Sequence, residues 1–208
     1  MNEISTYILA AALAWASGIR LYAVLFIMGA AHRLDWVSLP QDMRLIAHGW
    51  VMAATGALVL LEFFADKIPA IDSIWDALHT FVRIPVGALL AAGLIAPQDG
   101  PAWALVAALL GGTITAGTHF TKAGGRAVIN TSPEPFSNWS ASLLEDGLVI
   151  FGLWLAWTHP VVFALLLLLF LLVVAWLLPK LWRGVIRLLN KGMEYMGMSS
   201  APASGKRP

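Results

Sequence analysis

The sequence predicts an all-α, multi-pass membrane protein, and two observations predict it. Hydrophobic residues make up 59% of the chain and charged residues 12%, about half the charge of an ordinary soluble domain. The apolar residues also gather into runs close to the roughly 20 residues that a bilayer core demands of a spanning helix. Six such runs are present: Thr6–Ala31, Ile46–Phe64, Ala77–Ala96, Ala102–Phe120, Ala141–Thr158 and Val161–Leu178. Residues 1–198 therefore read as a single transmembrane domain, with no stretch left for a sizeable soluble one.

The first run sits behind Asn2 and Glu3, where a secretory leader carries basic residues, so it reads as a retained span. Within it, Ala16-Ser17-Gly18-Ile19-Arg20-Leu21-Tyr22 puts an arginine about 20 Å into the segment, too deep to snorkel easily. Ser17 and Gly18 suit a helix break, whose free N–H groups and dipole end would receive an anion. The alternative is a buried pair of Arg20 with Glu62 or Glu145. Glu62 lies late in the second run, with Asp66 a turn further on. Ahead of the third, one helical face carries Ile71, Ile74, Trp75, Ala77, Leu78, Phe81 and Val82 and the other Asp72, Asp76, His79 and Arg83. That face is either the solvated side of an interfacial helix or a polar side turned into a cavity.

The fourth run and its exit, Gly111 to Arg126, hold five glycines and four threonines in sixteen residues. Such a composition suits a broken span or close helix packing. It also carries the second basic step, Thr115-Ala116-Gly117-Thr118-His119. Asn130-Thr131-Ser132-Pro133-Glu134-Pro135 follows, with Glu134 held between prolines. Within a loop read over 120–139, residues 130–138 are expected to be ordered or re-entrant and to line a path. The fifth run opens near Glu145-Asp146. After the sixth, Pro179 precedes a basic helix over about 180–196, with Arg183, Arg187 and Lys191 four residues apart, expected on the anionic inner leaflet. Residues 199–208 read as a disordered tail.

The halves match weakly but in order. Gly18/Arg20 corresponds to Gly117/His119, the Trp50 region to the Trp139 region, and Ile84-Pro85-Val86 to His159-Pro160-Val161. Pseudo-repeats over about 5–96 and 102–180, each of three spans, would lie upside down to one another, as in many carriers. Six spans with both termini in the cytoplasm leave ten Lys and Arg inside and two, Arg33 and Arg44, outside, as the positive-inside rule asks.

The chemistry falls into three sets. Arg20, Ser17, Gly18, His119, Thr115, Thr118, Asn130 and Glu134 are candidate substrate-binding residues. Glu62, Asp66, Glu145 and Asp146 are candidates for proton or ion coupling, since desolvated carboxylates take up protons readily. Asp72, Asp76, His79 and Arg83 form a secondary polar cluster. The chain has no cysteine, and one His/Asp face without a companion set makes no metal site; no cofactor is expected. The reading is a small secondary transporter or translocator for an anionic solute or lipid-linked anionic group, driven by protons or a cation. The alternatives are an ion channel with the same cavity, a membrane-embedded enzyme acting on lipid head groups through His119, Glu134 and Asp76, and a scaffold. Expected partners are membrane lipids, the anionic or lipid-linked substrate and a second copy of the chain as a homodimer; nucleic acid is not among them.

The segments Ala16–Tyr22, Glu62-Phe63-Phe64-Ala65-Asp66-Lys67-Ile68-Pro69 and Asn130–Pro135 resemble an uncharacterised bacterial integral-membrane family known as a domain of unknown function of the 4126 type. The likeness covers most of residues 5–180. It implies a multi-pass protein of the bacterial inner membrane and brings no activity with it.

Overall fold

The computed structural model describes residues 3–131 and 135–195, and all regular structure among them is helical. By length and composition, four helical stretches can cross a membrane. A fifth arises if the short turn Gln41–Ala47 and the helix Gly49–Ala65, which meet at 59°, count as one bent span. Two of the long stretches are folded back on themselves.

Glu3–Arg33 is interrupted at Arg20, whose φ of −141° and ψ of 73° are not helical. Its arms, α1 (3–19) and α2 (21–33), run in opposite senses. Thr6 and Tyr7 meet Gln98 and Asp99, and on α2 Tyr22 meets His79 while Leu25 lines a groove with Val86 and Leu89. Leu9 and Met28 line one cavity, although an unbroken helix would separate them by about 28 Å. Pro69–Ile129 does the same at Gly100, the one residue there outside helical geometry, with φ 81°. Positive φ at this turn selects glycine, and Pro101 behind it pushes Gly100 out of the helical region while suiting the first turn of the next helix. The arms α4 (69–99) and α5 (101–129) are antiparallel: Asp72 pairs with Asn130, Arg83 with His119, Gly87 with Thr115 and Ala91 with Gly111. Between the hairpins lies α3 (Gly49–Ala65), antiparallel to α2 through Gly29–Met52 and Gly56–Phe26. The last helices are α6 (Pro135–Thr158) and α7 (Pro160–Tyr195).

The core is built from α1 and the start of α2. Leu13, Ala14, Ala16, Leu21 and Val24 are fully buried, and Trp15 packs edge-on against Phe163 and Phe170 of α7. The small residues of α5 pack closely rather than break: a Cβ on Gly18 would lie 2.6 Å from the Thr115 carbonyl oxygen. Apolar side chains cover the outside, with Ile74, Leu78 and Phe81 well exposed, the inverse of a water-soluble helix and the pattern for a hydrocarbon solvent.

Several expectations are corrected. The first run is broken as expected, but it doubles back at Arg20. The fourth is an unbroken helix from 101 to 129, so residues 120–139 are not a long loop. Helix extends to Ile129 and resumes at Pro135. The third helix starts at Pro69, and Pro85 lies inside it. The basic segment after Pro179 is not a separate surface helix but continues α7, because a proline removes one backbone hydrogen bond without dictating a stop. Repeats over 5–96 and 102–180 would be inverted copies only if α1 and α5 ran in opposite directions. They run side by side in the same direction, with Ala14 against Gly111 and Thr115, Gly18 against Thr118, and Ile19 against Lys122. The doubled-back first helix also places the start of α1, Gly100 and the 34–48 connection at one end of the bundle. Residues 66–68, 130–131 and the α7 segment beyond Val174 lie at the other. The tail at 199–208 lies outside the described residues.

Candidate functional site

Charged side chains converge where the α1–α2 tip, the end of α3, the start of α4, the last third of α5 and the start of α6 meet. Arg20 is 2% exposed and sits at the tip because the chain bends back there. Its guanidinium pairs with Asp66, lies 2.8 Å from Asp146, 3.3 Å from Glu145 and 3.8 Å from Glu62, and donates to the Ser142 hydroxyl and carbonyl at 3.0 and 3.2 Å. Arg83, fully buried, pairs with Glu62 and with Asp76 at 2.9 Å. Lys122 lies 3.3 Å from Asp76 and 3.5 Å from Glu145. Arg126 reaches Glu145 at 2.9 Å and Asp66 at 3.2 Å, and donates to both Asn138 oxygens. Asn130 donates to Asp72 at 2.8 Å.

His119 belongs to this network as a neutral ring. Arg83 can only donate, so the Nδ1 it contacts at 3.1 Å is unprotonated. Thr80 gives its own hydrogen to the Asp76 carbonyl, so Nε2–H of His119 donates to the Thr80 hydroxyl at 2.7 Å. The network thus holds four cations (Arg20, Arg83, Lys122, Arg126) against six carboxylates (Glu62, Asp66, Asp72, Asp76, Glu145, Asp146). One oxygen each of Asp66, Asp72 and Asp76 takes no hydrogen bond from the protein. Among the described residues no group of His, Asp and Glu is arranged to hold a metal ion.

Two grooves flank the network. One of about 400 Å³ lies between α4 and α5, with Asp76, Thr80, His119 and Arg126 among its lining residues. The other, also about 400 Å³, lies between α2, α3 and α6 and has Arg20, Glu62 and Asp146 in its lining.

The sequence-derived candidates divide accordingly. Arg20, His119, Glu62, Asp66, Glu145 and Asp146 join one network, together with Asp72, Asp76, Arg83 and Asn130 of the two polar sets. The Asp72, Asp76 and Arg83 face points inward. His79 does not join them: its ring stacks on Trp75 at 4.1 Å and bonds the Trp75 carbonyl at 2.7 Å. Ser17, Thr115 and Thr118 are not poised for a ligand, because their hydroxyls donate to the carbonyls of Leu13, of Ala14 and Gly111, and of Ile114. Gly18 serves close packing. Glu134 lies outside the described residues. Arg20 and His119 do not face each other across a cavity; Glu62 and Arg83 stand between them. Lys122, Arg126, Asn138 and Ser142 were missed as site residues. The signal was available: 115, 118, 122 and 126 follow helical spacing, as do 138, 142 and 145, once both helices extend into the region read as loop.

Outside the spans, Lys67 is held over the Phe63 ring, 3.1 Å from its centroid, and donates to the Phe63 carbonyl; burial there lowers its pKa below that of a free lysine.

The family described as a domain of unknown function (DUF4126) matches residues 7–180. No curated protein and no solved structure matches the chain.

Proposed function

The chain belongs to this family of unknown function, and from the geometry of the buried network we propose a small membrane carrier in which that network takes up protons or a monovalent cation as the coupling step. The charge imbalance supports this reading best. Six carboxylates and four cations share one buried site. An uncompensated buried charge costs several kcal/mol, and carboxylates in such surroundings relieve it by binding a proton or a cation. Uptake or release then changes which ion pairs hold the α1–α2 tip, so occupancy and conformation are linked.

An anionic cargo would have to displace carboxylates from Arg20, and Asp146, whose side chain is 33% exposed, is the partner easiest to displace. We read the two hairpins, α3, α6 and α7 as seven segments that alternate in direction. In a bacterial inner membrane the end bearing Lys67, Lys180, Arg183 and Arg187 would face the cytoplasm, with the start of α1 on the outer face.

The absence of cysteine makes alternating access directly testable. Ser142→Cys beside Arg20 is labelled in sealed vesicles with a membrane-impermeant maleimide applied from one face or the other. A carrier gives labelling from both faces, with rates that shift in opposite directions as pH or Na⁺ is changed. Labelling from one face alone at every pH and cation tried contradicts the proposal, and unitary conductance steps in planar bilayers would make the protein a channel instead.

A further inference from the structure

We infer that the groove between α2, α3 and α6 binds an amphiphile with an ammonium head group and a single alkyl tail. This site is independent of whether the network drives transport. The groove has a volume of about 400 Å³, apolar walls that include Phe26, Leu60 and Ile150, and a charged floor of Arg20, Glu62 and Asp146. Phe26, Leu60 and Ile150 are all exposed at the lipid-facing surface, so the groove opens sideways to the hydrocarbon. A tail can therefore enter without crossing water.

The floor selects the head group. It carries two carboxylates and one guanidinium, and the connected network beyond it has a further excess of acid. Arg20 is already ringed by Asp66, Glu145, Asp146 and Glu62, so an anion approaching it meets four carboxylates. Asp146 is different, because a third of its side chain is exposed and it can accept from a new donor without leaving Arg20. An ammonium, with three N–H donors and a positive charge, complements that carboxylate. Of the other cations nearby, Arg83 is held between Glu62 and Asp76, and Lys67 is held down on the ring and carbonyl of Phe63. A neutral head group would leave the floor's excess charge uncompensated, and an anionic one would add to it.

The test uses Ala23→Cys, since Ala23 lines the groove and the chain has no other thiol. The purified full-length protein in a non-ionic maltoside detergent is labelled with a maleimide alone, or with dodecylamine, dodecanol or dodecyl sulfate at equal concentration. Dodecylamine should slow labelling at least fivefold, with dodecanol and dodecyl sulfate near the control rate. Adding Asp146→Asn should abolish most of the dodecylamine protection. Equal protection by dodecanol would reduce the groove to an apolar cleft. Stronger protection by dodecyl sulfate would show that Arg20 or Lys67 governs the head group, and protection that survives Asp146→Asn would remove the carboxylate from recognition; each result overturns the inference. Circular dichroism and gel filtration establish that both variants are folded before labelling is read.

Discussion

At the scale of single residues the network is held by mutual neutralisation, so removing one member is worse than removing a pair. Arg83 is fully buried between Glu62 and Asp76. Arg83→Met strands both carboxylates and should cost about 3–5 kcal/mol, read as a lower thermal midpoint in detergent. Adding Glu62→Gln should recover part of that loss; a double variant as unstable as the sum of the singles would show that the two residues do not interact. Glycines report on packing in the same way. Gly18→Val forces a side chain against the Thr115 carbonyl and the Thr118 side chain and should cost about 1–3 kcal/mol. Gly125, where a Cβ meets nothing within 4 Å, should accept alanine with little change in the same melting experiment. These residue roles were only partly visible in the sequence. A buried Arg20 announces itself by its setting, but whether a threonine hydroxyl meets a ligand or its own helix depends on the neighbour's backbone. Thr115 illustrates this: the Ala14 carbonyl that it bonds is distant in the chain.

At the scale of elements, existence was easier to read than ends and directions. Each apolar run became a helix, because nothing but a helix satisfies its own backbone in hydrocarbon. The ends moved outward because polar residues that normally signal a loop are here buried against one another. Asp72 and Asp76 lie on the inward face of α4, and Lys122 and Arg126 on that of α5, so both helices continue through sequence that looks too charged to span. The reversal at Gly100 was foreshadowed by Pro97, Gly100 and Pro101. The reversal at Arg20 was not, since Ser17-Gly18 signals weakness without saying how far the chain turns, and α2 must find α3 and α6 to fix it. Spin labels at Tyr7 and Ala31 measure this turn. An unbroken helix holds these positions about 36 Å apart, and the doubled-back α1–α2 hairpin predicts a much shorter distance; a long distance near the helical value contradicts the fold of the tip.

For the whole molecule, one extra reversal changes the topology. With the first run counted as one crossing, six spans return both termini to one side; the proposed seven alternating segments would put them on opposite sides. The same bend makes α1 run alongside α5 in the same direction, so the first and fourth runs are not inverted counterparts. Single cysteines at Glu3 and Arg183 should be labelled from opposite faces of right-side-out vesicles, and labelling of both from one face would restore the six-span arrangement.

The central claim is that this bundle carries more buried carboxylate than its cations neutralise, and that protons or a cation make up the difference. Infrared titration of the purified protein in salt-free buffer tests it most directly. The prediction is a carboxylic-acid C=O band present at neutral pH, diminished by Asp72→Asn or Glu145→Gln and by added Na⁺ or K⁺. A protein whose carboxylates are all ionised at neutral pH, with a spectrum indifferent to both cations, would contradict it.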